Sequence, residues 1–288
     1  IVTDLKAHVD ESLLGEDVED TNPTYHGVYV PKVTRTERHI RHPRELLDGA
    51  KSVIVIGMHF PQAIIENSGL SESQQIGCYA FYQYQTAFEL RYAAANIASE
   101  LARHGYRSQI THDVLGIGSQ VDTHRGRIPD ARCSAIEAVA AGLGQMGLSG
   151  SLLTSEYGPH QRCIAIVTDA PLPADAVEPA RDLCTKCGQC RTKCPMSAIG
   201  KADFDVRVNG CTIRVPQIDR HRCDWSKKFA LCKEEGPALI GNSTDVPTPQ
   251  GPITIETIAE ASKQRDPIMK RRPCILETCL RQCPAGKK

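Results

Sequence analysis

The apolar positions of this chain fall into segments with different periods, and these segments set out its elements. KSVIVIGMHF (51–60) is continuously apolar and β-branched, the pattern of a buried strand. From Tyr84 to Gly105 the period changes: Ala87, Leu90, Ala94, Ile97 and Leu101 recur at alternating three- and four-residue steps, which predicts a helix stopped by Gly105. RSQIT (107–111) reads as a second strand. THDVLGIGSQVDTHRGRIPDAR (111–132), rich in glycine, histidine and charge, reads as a loop. A second helix is predicted from about Cys133 to Ala141, and CIAIVTDAPLP (163–173) as a strand running into a proline-rich exit.

APLPADAVEPA (170–180) is the candidate domain boundary, because after it the composition turns to cysteine, lysine and arginine. The expected division is an N-terminal segment, 1–50, packing on a main domain, 51–172, followed by a cysteine-rich domain, 173–288. In the latter, DVRVNGCTIRV places Asn209-Gly210 between two alternating runs, a strong hairpin signal. Residues 236–252 read as a long loop and 254–264 as a short helix.

Charge narrows the function classes. Lysine plus arginine equals aspartate plus glutamate at 34 each in 288 residues, so no general nucleic-acid or anionic-membrane surface is expected. No apolar run approaches the ~20 residues that span a bilayer, and residues 1–20 are acidic, unlike an export signal. A cytoplasmic protein is the expectation.

The cysteines carry the chemistry. Of thirteen, all but Cys78, Cys133 and Cys163 lie from Cys184 onward, in groups rather than spread as a disulfide framework. Those three read as small buried hydrophobes. CTKCGQCRTKCP sets Cys184, Cys187, Cys190 and Cys194 at C-x2-C-x2-C-x3-C-P, the bacterial ferredoxin run for a [4Fe–4S] cluster, where the fourth cysteine ligates a different cluster. A zinc site uses two separated pairs instead. CILETCLRQCP repeats the C-x3-C-P ending with Cys274, Cys279 and Cys283. By the crossing rule Cys283 completes the first cluster with Cys184, Cys187 and Cys190. The second then takes Cys194, Cys274, Cys279 and one more, for which Cys223 in DRHRCDW is chosen ahead of Cys232 and Cys211.

AGLGQMG (141–147) spells G-x-G-x-x-G with Gly142, Gly144 and Gly147. A dinucleotide loop needs a strand before these glycines and a helix after them. Here Ile136, Val139 and Leu143 recur at helical spacing ahead of the glycines, so they close a helix. Asp169 stands about where a ribose-binding acid would lie, but no βαβ unit places it. The alternatives left are a plain helix cap and the close approach of a large flat ligand to a backbone without Cβ atoms.

A helix ending AGLGQMG, the segment SLLTSEYG, the strand IAIVTDAPLP, CTKCGQCRTKCP and a terminal C-x3-C-P together resemble the cobalamin-dependent iron–sulfur reductases, that is, the epoxyqueuosine reductases and reductive dehalogenases. The resemblance covers roughly residues 50–288. It implies an α/β (α+β) fold: a nitroreductase-like domain holding base-off cobalamin, then a ferredoxin-like domain with two [4Fe–4S] clusters. The clusters would reduce the corrinoid to Co(I) for reductive chemistry on a small organic substrate. Gly142, Gly144, Gln145, Gly147, Leu148, Ser149, Tyr157 and Gly158 would lie against the corrin. Asp130 falls near the family's acidic proton donor, although closer to the glycines than the pattern has it. Tyr84, with Arg127, is similar to the dehalogenases' tyrosine and basic partner. Each has a plainer reading, Asp130 as a helix cap and the tyrosine as packing. The implied partners are an external electron donor such as ferredoxin or flavodoxin and a second copy in a homodimer, with no membrane and no nucleic acid. The alternatives are an iron–sulfur electron carrier or activator of a corrinoid protein, an epoxyqueuosine reductase acting on tRNA, and FMN in place of cobalamin.

Overall fold

The computed structural model describes residues 42–61, 63–64, 72–111, 120–123, 126–129, 131–175, 182–194, 196–208, 211–219, 221–223, 225, 249–254, 256–257, 260–261 and 278–286. Its centre is a three-stranded antiparallel sheet of β1 (Ser52–His59), β7 (Gln161–Thr168) and β2 (Ser108–Ile110), with β7 in the middle. Ser52 pairs with Thr168 and His59 with Gln161, while Ser108 also faces Thr168 from the other edge. The run Ile164–Val167 is wholly buried because both faces of β7 are covered. On one face Ile164 and Ile166 pack with Leu90 and Ala94 of α2 (Glu72–Arg103). On the other, Ala165 and Val167 meet Leu46 and Leu47, at the end of α1 (Pro43–Leu46), and Cys163 joins a cluster with α3 (Ala131–Ala140).

Helix α2 extends the predicted helix by twelve residues toward the N-terminus. It ends as predicted: Gly105 has φ +81°, the Tyr106 N–H donates to Leu101 and the Gly105 N–H to Ala102, the paired bonds of a Schellman cap. Among the described residues no helix is long and apolar enough to cross a membrane.

One expectation is corrected here. The segment read as loop from 111 to 132 contains a hairpin, β3 (Gln120–Thr123) paired antiparallel with β4 (Gly126–Pro129). These strands are four residues each, and charge interrupts the apolar period on which a strand reading depends.

Beyond the proposed boundary, β8 (Ile199–Val208) pairs antiparallel with β9 (Cys211–Ile218), and Val208 faces Cys211, the register expected for a two-residue Asn209-Gly210 connection. Of the predicted 254–264 helix, 256–257 and 260–261 are helical, Thr254 lies just ahead of them outside the helix, and 255, 258–259 and 262–264 lie outside the described residues. Val206, Ile213 and Val215 enter the same core as Ala135, Ile136, Ala138 and Val139 of α3. The cysteine-rich portion and the α/β portion therefore share buried surface across residue 172. That shared core fixes the cysteine loops relative to the glycine loop.

Candidate functional site

Helix α3 stops at the glycine string as its sequence requires. Gly142 has φ +81° and donates to the Val139 carbonyl, while Leu143 donates to Ala138, so the first glycine is the left-handed residue of a second Schellman cap. The chain then forms β5 (Gln145–Met146), turns, and returns as β6 (Leu152–Leu153). Gly147 donates to Ser151 and Gly150 to Gly147, which closes the turn. A Cβ on Gly144 would run into the Leu153 carbonyl, and one on Gly147 would lie 2.9 Å from Leu153 Cδ1. Packing within the hairpin thus accounts for both glycines.

A second loop follows. Thr154 and Gly158 exchange backbone hydrogen bonds at 3.0 Å, and the Tyr157 N–H donates to Thr154 Oγ1. Buried Gln161 holds this loop from below: its Nε2 donates to the carbonyls of Gly158 (2.7 Å) and Leu152 (3.1 Å), and its Oε1 accepts from Thr154 Oγ1 (2.9 Å). On top, the Tyr157 ring stacks on His59 at 4.2 Å and 12°. A hydrogen bond to Glu156 raises the Tyr157 phenol above its ordinary pKa, so it is neutral at physiological pH. Leu143 and Tyr157 are each 39% exposed, leaving apolar surface on both loops.

The first cysteine group sits beside these loops. Lys186 and Gly188, on either side of Cys187, have φ +54° and +75°. Holding a lysine in the left-handed region costs on the order of 1 kcal/mol, and such positions concentrate where a site over-determines the backbone. Gly188 is also the N-cap of α4 (Gln189–Thr192), which carries buried Cys190. Helix α5 (Thr278–Arg281) packs on α4 and brings Cys283 in just past its end.

Cys184, Cys187, Cys190 and Cys283 line one partly open pocket with Gly147, Leu148 and Ser149. Burial pushes the Cys190 thiol up, with Cys184 and Cys283 adding like-charge repulsion. Among the described residues no His, Cys, Asp and Glu side chains form a site for a single ion. A cube of four irons and four sulfides holds its thiolates farther apart than one ion does, and a lining of four thiols fits that larger body.

The other cysteine segments are also linked. The Ala198 N–H donates to Cys194 Sγ at 3.3 Å. Ala198 accepts from the Asp219 N–H, whose own carbonyl accepts from Cys223, and Arg222 Nη1 donates to the Met196 carbonyl. Met196 and Trp225, two residues past Cys194 and Cys223 respectively, are buried together with Ile253 and Ala261. Cys194 and Cys223 are therefore carried by two segments packed on each other. Cys279 lies on α5. Cys274, and Cys232, the rival of Cys223, lie outside the described residues. Cys163 is buried, as read from sequence, and burial pushes its thiol up to about 12. Asp130 lies outside the described residues, as do the side chains of Tyr84, Arg127, Cys78, Cys133 and Cys211.

Sequence reasoning missed several members of the site. Gln161 lies two residues ahead of the predicted strand and belongs to no motif, and Leu183, Pro284 and Ala285 carry no motif beyond their nearness to cysteines. Gln145, taken as a cofactor contact, spends its Oε1 on the Leu183 N–H at 2.9 Å.

No family model matches the chain. The epoxyqueuosine reductase of Bacillus anthracis is 30% identical over 230 residues, 78% of this chain and 52% of that protein. That of Leadbetterella byssophila is 27% identical over 64% of this chain and 54% of its own length. The tetrachloroethene reductive dehalogenase of Dehalobacter restrictus is 38% identical over 116 residues, 36% of this chain and 21% of that protein. The chain thus spans about half the length of the epoxyqueuosine reductases it matches. Among solved structures, the epoxyqueuosine reductase of Streptococcus thermophilus aligns with 85% of this chain and 52% of its own at 17% identity and a TM-score of 0.42. A catabolic reductive dehalogenase bound to 3-bromo-4-hydroxybenzoic acid aligns with 93% of this chain and 34% of its own at 18% identity and a TM-score of 0.46. An epoxyqueuosine reductase holding a tRNA stem loop is also among them, at 22% identity, 85% of this chain and 54% of its own, and a TM-score of 0.41. By sequence, this mixed α/β chain is a relative of the epoxyqueuosine reductases and the reductive dehalogenases, all of them oxidoreductases, as its order of motifs leads one to expect.

Proposed function

We propose that the chain is a cobalamin- and iron–sulfur-dependent reductase, in which two [4Fe–4S] clusters feed a base-off corrinoid held over the loops 142–149 and 155–158. The observation that carries this reading is the pocket where Cys184, Cys187, Cys190 and Cys283 meet Gly147–Ser149: a cluster bound there lies directly against the glycine loop. When bound, the clusters supply single electrons at low potential and the corrinoid a strongly reducing, nucleophilic metal. The chain's own residues do the rest. Four thiolates hold the first cluster, and Cys194, Cys223, Cys274 and Cys279 hold the second. The main chain of Gly142–Ser149 and the exposed faces of Leu143 and Tyr157 receive the corrin. Asp130 delivers a proton to the departing group, and Tyr84 with Arg127 orients the substrate. Residues 51–172 form the corrinoid-binding domain and 173–288 the electron-supplying one, interlocked through the core of α3 and β9. An external electron donor such as ferredoxin or flavodoxin reduces the protein in the cytoplasm.

Two substrate readings stand. A small organic substrate is the sequence expectation. A tRNA substrate is favoured by relatives named epoxyqueuosine reductase that match as much as 78% of this chain, and they weigh against an expectation without nucleic acid. The test is turnover. Anaerobically reduced protein is given an epoxyqueuosine-bearing stem loop and, separately, a halogenated aromatic, with wild type compared to Asp130→Asn. Reduction of either substrate by wild type alone, with unchanged cluster and corrinoid spectra in the variant, is the expected result. Full turnover by Asp130→Asn removes the acid role, and no turnover of either substrate removes the enzymatic reading in favour of an electron carrier.

A further inference from the structure

The first cluster's ligands come from the cysteine-rich portion, yet the groups that fix two of them belong to the α/β portion. The Leu183 N–H, one residue before Cys184, donates to Gln145 Oε1 at 2.9 Å, and Gln145 opens β5 in the glycine loop. At the other end, Ala285 and Gly286, just past Cys283, cross Tyr157 and Gly158 with backbone against backbone. Gly158 (φ +54°) and Gly286 (φ +74°) stand so close that a Cβ on Gly158 would meet the Ala285 carbonyl, and one on Gly286 would meet the Gly158 nitrogen. A pair of glycines is what such a crossing requires. Cys184 and Cys283 are thus each tethered within three residues to one of the two loops that surround the candidate corrin face.

We infer that Gln145 is a positioning residue for the first cluster, with the Gly158–Gly286 crossing as its second strut, so that the geometry of this one cluster is set by the loops that take the cofactor. The inference rests on the two-cluster reading above. It has a consequence for the chain's organisation: the cysteine-rich portion does not hold its first cluster in native geometry without the α/β portion. It also links the two sites, because any ligand that moves the 142–149 or 155–158 loop displaces Leu183 or Ala285 and with them a cluster ligand. Gln145 acts here through a neutral amide oxygen on a backbone N–H, and so positions the chain without adding charge to the cluster.

The test uses the full chain, purified without oxygen. Gln145→Met keeps the side-chain length and removes the acceptor, while Gln145→Glu keeps an acceptor oxygen. Signals of the two reduced clusters are assigned by electron paramagnetic resonance with a Cys194→Ala protein, in which the first cluster alone is intact. Gln145→Met is expected to retain the wild-type iron content, to shift the g-values and midpoint potential of the first cluster only, and to lose that cluster faster in air. Gln145→Glu is expected to restore the g-values. Gly286→Ala is expected to lose the first cluster and keep the second, whereas Gly251→Ala, at a position with nothing within 4 Å, is expected to keep both. Wild-type signals in Gln145→Met, a change confined to the second cluster, or both clusters intact in Gly286→Ala each overturn the inference. A wild-type protein with fewer than two clusters overturns the reading beneath it instead.

Discussion

Gln161 is the side chain on which the second loop rests, and replacing it gives a worked stability prediction. Its amide makes three hydrogen bonds from a position 8% exposed: two donated, to Leu152 and Gly158, and one accepted from Thr154. Gln161→Met keeps the volume and removes all three. The Gly158 carbonyl retains the Thr154 N–H, and Thr154 Oγ1 still accepts from Tyr157, so two of the abandoned partners are partly compensated. At about 1 kcal/mol net per bond, and up to ~3 for a buried group left unsatisfied, the loss comes to roughly 2–4 kcal/mol. For a chain of this size each kcal/mol moves the unfolding midpoint by about 2–4 °C, so Tm should fall by about 4–16 °C. The assay is a thermal scan without oxygen at one fixed rate for both proteins, because loss of clusters makes unfolding irreversible. Gln161→Glu should fall at least as far, since it gives up both donated bonds and buries a charge. A Gln161→Met protein within ~1 °C of wild type would refute the reasoning.

Other predictions follow from the cysteines and from one ion pair. Cys223→Ala should lose one cluster and Cys232→Ala neither, by iron analysis; Trp225, the only tryptophan in the sequence and buried two residues from Cys223, should brighten in the first variant, and the reverse pattern would transfer the ligand role to Cys232. Cys163, its thiol raised to about 12 by burial, should resist iodoacetamide at pH 8.5 until the chain unfolds, read by peptide mapping; since the folded state prefers the protonated thiol, its contribution to stability is present below about pH 9 and lost as pH rises above that. Asp169 accepts from the Arg107 guanidinium at 2.9 Å and from its backbone N–H at 2.8 Å, which holds its carboxyl below the usual range. The wild type should therefore exceed Asp169→Asn in Tm at neutral pH. The difference should persist down to about pH 4 and vanish as pH falls through the lowered pKa, and it should shrink in high salt.

Much of this was legible because the signals are local. The buried run of β7, the cap at Gly105 and the hairpin turn each follow from a few neighbouring residues whose backbone preferences agree with their apolar pattern. The glycine string reads as the end of a helix for the same reason: Gly142 is a left-handed cap with helical residues on its N-terminal side. The close approach imagined for its other glycines has a partner no local pattern displays, since Leu153 fills the space beside Gly144 and Gly147. The crossing rule groups Cys283 with Cys184, Cys187 and Cys190 because it encodes a three-dimensional wrap in a spacing, and these four cysteines line one pocket. What stayed hidden was long-range: Gln145 bonding to Leu183 across 38 residues, Gly158 crossing Gly286, and Val206 and Val215 joining the core of α3. No single-residue preference distinguishes a glutamine that meets a cofactor from one that meets a backbone N–H.

The central claim, two clusters and a corrinoid in one chain, is tested most directly by metal and cofactor content. Protein prepared without oxygen from corrinoid-supplied cells, analysed for iron, cobalt and flavin per chain, should give about eight irons, about one cobalt and no flavin. Eight irons with neither cofactor would contradict the corrinoid and point to an electron carrier, flavin in place of cobalt would point to FMN on the same scaffold, and about four irons would contradict the second cluster.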